Sequence, residues 1–314
     1  MTKFECDEVG ELKEYVGCKI DWNKEEKWMK LTQPVLLQSF SDEFDIEGGK
    51  NPVTPAEAGL ILQASETEYV MDAKMQYIYR KGVGKLLHMM RWSRPDTLNS
   101  VRELSRFMRE GNVKHLKSMH RVMRYCADTA DRGLTLKPDQ EWDGSQDFEF
   151  EIRGVSDSNY ATCPNTRRSV SGWTVFLCGA PVAMKSVMQK IVALSVTEAE
   201  LFSGTQCAQD MLYVMHILDG MKLKVKTPMK LSMDNQGAVD LVNGYSCGGR
   251  TKHIEVRQYF LRDLKEQGLV EVEWIPGATN CSDLFTKNLP GATFEKHAKH
   301  FVSERKTEGE KPQE

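Results

Sequence analysis

Four acids stand at the ends of apolar or β-type runs, where a side chain can be held against a sheet edge. They are Asp157 in Gly154-Val155-Ser156-Asp157-Ser158, Glu200 in Thr197-Glu198-Ala199-Glu200, Asp234 in Leu231-Ser232-Met233-Asp234-Asn235-Gln236, and Asp283 in Asn280-Cys281-Ser282-Asp283-Leu284. The chemistry they suggest is metal binding. A helix starting at Ser195 or Thr197 carries Ala208, Met211, Leu212, Met215 and Leu218 on one stripe, the period of a helix laid on a sheet. Glu200 shares an edge with Gly204, Cys207 and Met211, which puts its carboxylate beside that sheet. Helix capping is the competing reading, because Ser195 to Glu198 and Thr197 to Glu200 both fit the S/T-x-x-E box, in which the Glu satisfies a free backbone N–H. The three aspartates at comparable positions favour the metal site.

The stretch from about 151 to 290 resembles the ribonuclease H domain of copia-type retrotransposon polyproteins. The resemblance is carried, in the family's order, by Ser156-Asp157, Thr166-Arg167-Arg168-Ser169-Val170-Ser171-Gly172, Gly179-Ala180-Pro181, Ala193-Leu194-Ser195, Thr197-Glu198-Ala199-Glu200, Asp234-Asn235-Gln236, Thr251-Lys252-His253-Ile254 and Asp283-Leu284-Phe285-Thr286-Lys287. It implies that Asp157, Glu200, Asp234 and Asp283 are catalytic carboxylates cutting the RNA strand of an RNA/DNA hybrid. Such cleavage needs a nucleophilic water and neutralised charge on the attacking and leaving oxygens, which two divalent ions about 3.5 to 4 Å apart provide. Magnesium prefers hard oxygen ligands, with manganese as an alternative ion. The expected division is Asp157 bridging both ions, Glu200 and Asp234 on one, and Asp283 on the other. One departure stands out: the family's usual Asp-x-Asp-Trp-Ala-Gly reads Asp157-Ser158-Asn159-Tyr160-Ala161-Thr162 here, with Asn159 replacing the second acid.

Further residues carry binding expectations. His253 is included in the resemblance as a catalytic candidate that shuttles protons or aids product release, against a structural role at a helix start. Arg167, Arg168 and Ser169, near the turn between two strands, offer guanidinium and hydroxyl groups to phosphate or 2′-hydroxyls. Asn235 and Gln236 either cap a helix or touch the minor groove. Between Lys74 and Arg124, thirteen Lys and Arg face only Asp96, Glu103 and Glu110, although the whole chain carries −3. That excess reads as a phosphate-facing surface, with Arg102, Arg106, Arg109, Lys114, Lys117 and Arg121 as candidates.

These residues need two bodies to position them, which 314 residues supply. Residues 1–129 are expected to hold a hairpin, Cys18–Trp22 with Trp28–Leu31, and then mainly helices interrupted at Arg94-Pro95-Asp96, where Asp96 or Thr97 caps the next helix. Gly10-Glu11-Leu12, Tyr79-Arg80 with Val83-Gly84, Arg94-Pro95-Asp96, Leu104 to Met108, and Arg124-Tyr125 resemble the thumb and connection after a copia-type polymerase palm. No Tyr-x-Asp-Asp is present, so DNA polymerase activity is not expected of this chain. Residues 130–148, rich in turn formers, read as a linker; 149–302 as an α/β ribonuclease H-like domain with a mixed five-stranded sheet and helices on its faces; 303–314 as a disordered tail.

No apolar run nears the roughly 18 residues of a membrane span, Met1 to Glu8 is too acidic and polar for a signal peptide, and the eight cysteines form no C-x-x-C. A cytoplasmic or nuclear protein without membrane or small-molecule partners is the expectation. Its implied partners are the hybrid and the rest of a polyprotein, palm and integrase included. The alternative to a nuclease is a non-catalytic remnant or co-opted nucleic-acid-binding module. A transposase or integrase is disfavoured because the acids run Asp, Glu, Asp, Asp.

Overall fold

A computed structural model of the chain describes residues 10–46, 52–64, 71–244 and 255–304. Its first half opens on β1 (Glu14–Tyr15), β2 (Cys18–Asn23) and β3 (Trp28–Thr32), antiparallel neighbours in the order of the chain. β2 and β3 are the expected hairpin. A fourth strand, β4 (Leu134–Leu136), pairs with β3 and completes this sheet from inside the stretch read as a linker. Three residues are too few for alternation to announce a strand.

Helices α1 (Pro34–Phe44), α2 (Ala73–Trp92), α3 (Leu98–Ser105) and α4 (Val113–Asp128) build the rest of this half. Pro95 breaks the helical pattern as expected, but neither Asp96 nor Thr97 caps α3 through its side chain. Asp96 is buried instead. Its two carboxylate oxygens accept from the Arg94 guanidinium at 3.0 and 2.9 Å and from the Tyr125 hydroxyl at 2.6 Å. Those charged and hydroxyl donors hold the Asp96 carboxyl below its usual range although burial alone would raise it.

The second half contains the five-stranded sheet. β6 (Ile152–Asn159), β7 (Val170–Leu177) and β8 (Ala180–Met188) form an antiparallel meander; β10 (Met229–Met233) and β11 (Val270–Trp274) lie parallel to β6 on its other side. The spatial order is β11-β10-β6-β7-β8. This mixed sheet, with α5 (Val196–Gly220), α6 (Gln236–Asn243) and α7 (Glu255–Glu266) between its later strands, is the ribonuclease H-like topology anticipated from the sequence. Two two-residue strands, β5 (Glu149–Phe150) and β9 (Lys224–Val225), pair separately.

The two faces of the sheet are closed differently. On one face Ile152, Val175, Leu231 and Val272 pack with Cys207, Met211, Leu218 and Leu261 of α5 and α7. On the other, Val155 and Phe176 join a core shared by α1 to α4 and the chain's closing segment, α8 (Asp283–Thr286) and α9 (Gly291–Ala298). Phe294 sets its ring edge-on to Tyr125 at 5.8 Å, Phe301 packs on Phe285 at 4.8 Å, and Leu134 bridges Val302.

Candidate active site

Asp157 lies near the carboxyl end of β6 and Asp234 directly after β10, the parallel strand beside it, so the topology delivers two carboxylates to one rim. Glycine brings the third. Helix α5 crosses β6 closely because Gly154 leaves room for Met211 and Cys207, and Gly204 leaves room for Met233. The Ser203 hydroxyl then ties α5 to the carbonyls of Asp157, at 2.8 Å, and Gly172, at 3.2 Å. One turn earlier on that helix is Glu200. Ligand oxygens of Asp157, Glu200 and Asp234 all lie within 4.8 Å of one another, the metal-compatible acidic group found among the described residues.

The capping alternative divides between the two glutamates. Ser195 caps α5, accepting from the Glu198 N–H at 3.1 Å, and Glu198 reaches back to accept from the Leu194 N–H at 2.6 Å. Glu200 turns inward instead. Its Oε1 accepts from the Ser158 N–H at 3.3 Å, while Oε2 is buried with no protein partner. A buried carboxylate oxygen without a donor is costly unless something else meets it. Together with an all-oxygen donor set, it fits a hard divalent cation.

Burial raises the Asp157 carboxyl to about 6, with Lys287 opposing and Asp283 adding to the rise. Glu200 is pushed well above its ordinary value by burial and then by Asp157 and Asp234; Asp234 is raised by burial and by Asp157. These are carboxylates that repel one another in the absence of a cation.

Asp283 is placed differently from the other three. It opens α8 and lies outside the close group, its Oδ1 taken by the Lys287 ammonium at 2.6 Å; the same ammonium stands 3.4 Å from Asp157 Oδ1. The other Asp157 oxygen accepts from the Thr286 hydroxyl. Segment α8 can approach β7 this closely because Gly172, which pairs with Asp157, has no Cβ: one added there would stand 2.6 Å from Thr286 and 2.9 Å from Phe285. Asn159 donates its amide to the Thr286 carbonyl at 3.3 Å, a bond a carboxylate at that position would be unable to make.

Sequence reasoning assigns Thr286 and Lys287 no role at the site. The signal was present, since an Asp and a Lys four apart in a helical turn share a face.

No protein-family model matches the chain. Curated relatives do. It is 26% identical over 295 residues to the retrovirus-related Pol polyprotein of transposon TNT 1-94 from Nicotiana tabacum, covering 93% of this chain and 22% of the relative. It is 29% identical over 220 residues to the corresponding polyprotein of transposon RE1 from Arabidopsis thaliana, covering 70% of this chain and 14% of the relative. Its homologues are retrovirus-related Pol polyproteins of plant transposons, which fits a fragment of a copia-type polyprotein. Among solved structures, the N-terminal RNase H domain from Mycobacterium tuberculosis, fused to maltose-binding protein, aligns with 48% of this chain and 98% of its own at 15% identity and a TM-score of 0.35. The fold assignment rests on the strand order above. The chain spans under a quarter of either polyprotein.

The nucleic-acid candidates of the chain divide by exposure. Arg109, Lys114 and Lys117 are exposed, and Arg121 is half-buried, 3.8 Å from Glu57. Arg102 and Arg106 depart from a phosphate-facing reading. Arg102 is buried, donating to Ser186, Asn99 and Glu103, and Arg106 donates to Glu103 at 3.2 Å and to the Cys163 sulfur at 2.9 Å. Their charge is spent on Glu103 in the contact between α3 and the sheet. Arg167 and Arg168 are exposed in the β6–β7 turn, but Ser169 is buried and its hydroxyl accepts from the Ala161 N–H at 3.0 Å. Asn235 caps α6, accepting from the Ala238 N–H at 2.9 Å, and Gln236 donates to Asp240. His253 and the end of the expected tail, 305–314, lie outside the described residues.

Proposed function

We propose that this chain is a divalent-metal-dependent endonuclease that hydrolyses the RNA strand of RNA/DNA hybrids, as the ribonuclease H part of a retrotransposon polyprotein. The convergence of Asp157, Glu200 and Asp234 within 4.8 Å carries the reading. Their hard oxygens would hold a first magnesium or manganese ion, and Asp157 with Asp283 a second. When bound, such ions activate water and neutralise charge on the attacking and leaving oxygens of a phosphodiester.

The residues around them keep the carboxylates pointed at that task. The Ser158 N–H fixes one oxygen of Glu200 and leaves the other for a ligand, and Thr286 fixes the Asp157 carboxylate from behind. Exposed Arg109, Lys114, Lys117, Arg167 and Arg168 offer cationic contacts to the hybrid's backbone. Such contacts position a duplex without reading its sequence.

Purified protein incubated with end-labelled RNA/DNA hybrid, duplex RNA and duplex DNA, in magnesium, manganese or chelator, tests this. The expected result is metal-dependent cutting of hybrid RNA only, reduced at least about a hundredfold by Asp234→Asn. Binding of hybrid without cutting in either metal would instead establish a co-opted binding module.

A further inference from the structure

The outer edge of the five-stranded sheet borders a cleft. β8 is the last strand, paired with β7 on one side and with no described strand on the other. A cleft of about 410 Å³ is walled by the five consecutive residues 182–186 of β8 and, across from them, by Leu87, Met90 and Arg91 of α2. Side chains alternate between the faces of a strand, so consecutive residues wall one cleft only where it follows the strand's backbone edge. What the cleft offers is therefore a row of N–H and C=O groups, a template for one more strand. The two faces of such a strand would meet different surroundings. Met184 lies on the side of the helical half, with Leu87 and Met90 half-buried beside it. Ala183 packs on the opposite face, and Lys185, two residues on, shares that face and is exposed. Arg91 is exposed too, and among the described residues neither cation has an ion-pair partner. No described aspartate or glutamate lines the cleft. A lysine alone is the ordinary guard of an open edge. An apolar wall on one side and two unpaired cations go further, because they select what the added strand carries.

We propose that this cleft binds an extended peptide as a sixth strand on β8, with apolar residues at alternate positions toward Leu87, Met90 and Met184 and acidic residues between them beside Lys185. Arg91 adds attraction for the acids from the cleft's other wall. Main-chain hydrogen bonds to the strand edge supply affinity, and the alternating side chains supply selectivity. An acid directly across from Lys185 makes the favourable cross-strand pair. The five wall residues of β8, at about 3.3 Å each, give roughly 16 Å, room for about five or six residues of peptide. A sugar–phosphate backbone has no amides to match the edge and gains nothing from the apolar wall. The proposal does not depend on the metal-dependent reading above.

Fluorescence polarisation of the full chain with labelled peptides of about seven residues, alternating valine and glutamate, tests it. Saturable binding is expected, weakened at least about tenfold by Arg91→Glu combined with Lys185→Glu. That double variant should in turn bind a valine–lysine peptide that wild type does not. Arg91→Gln with Lys185→Gln serves if a thermal melt shows the charge-reversed chain unfolded, and weaker binding is expected of it as well. Methylating alternate peptide amides separates strand addition from simple charge attraction, because only one edge of the peptide faces β8. One methylation pattern should abolish binding and the other should spare it. No saturable binding up to about 1 mM, equal binding of the valine–lysine peptide by wild type, or indifference to both methylation patterns would overturn the proposal. So would displacement of the peptide by a single-stranded oligonucleotide as readily as by unlabelled peptide.

Discussion

Glu200 concentrates the energetic problem of the site. Its carboxylate is 3% exposed, has one oxygen without a protein donor and faces two other acids. Acids whose folded values are raised bind protons more tightly in the folded chain than in the unfolded one. Stability therefore falls as pH rises from the ordinary carboxylate range of about 4 through the folded values, about 6 for Asp157, and the penalty is fully present above them. Two expectations follow for metal-free protein in chelator. The three raised carboxyls make metal-free wild type melt higher at pH 5 than at pH 7.5. Glu200→Gln melts higher than wild type at pH 7.5, by roughly 1 to 3 kcal/mol, and loses most of that advantage at pH 5. Thermal melts at the two pH values check both, and a variant less stable than wild type at pH 7.5 would contradict the repulsion argument.

Glycine controls the site at the scale of elements. Gly172 lies opposite Asp157 on β7, and the space it leaves is filled by Ser282 to Thr286. Gly172→Ala would push α8 outward, separating Thr286 and Lys287 from Asp157 while β6 and β10 keep the other carboxylates in register. The expected cost is about 1 to 3 kcal/mol from overpacking, with hybrid cleavage falling further than a stability loss of that size explains. A melt paired with a cleavage assay separates the two effects.

The same elements show what the sequence disclosed. The periodic stripe of α5, the β-type runs of β6 and β10 and the acids at their ends were legible because period and length are local properties. That Glu198 caps while Glu200 turns inward was not, because both fit one motif and only packing against β6 distinguishes them. Arg102 and Arg106 misled for a similar reason: charge density along a helix does not reveal that Glu103 and Ser186 will receive it. β4 was hidden because its pairing partner lies a hundred residues away.

The whole molecule is held together across its halves. Arg132 pairs with Glu295, Asn99 donates to Asn288 at 2.9 Å, and Arg102 reaches Ser186 at 3.0 Å, all around the core that α1 to α4 share with α8, α9 and one face of the sheet. Residues 149–302 produced alone would uncover Phe294, whose ring meets Tyr125, and the flank of the shared core that α1 to α4 cover. A contiguous apolar surface of that kind favours association. The expected outcome is that this piece aggregates or melts without cooperativity, and that co-expression with residues 1–148 restores a single transition. Calorimetry and light scattering decide it.

The shared core also sets an order of events. During synthesis the helices emerge well before Phe285, Phe294 and Phe301, the aromatic residues that close their interior, so the early half must wait on the ribosome with its apolar faces uncovered. Contacts this distant in sequence form slowly, and a nascent chain left open for that long is a natural client for chaperones.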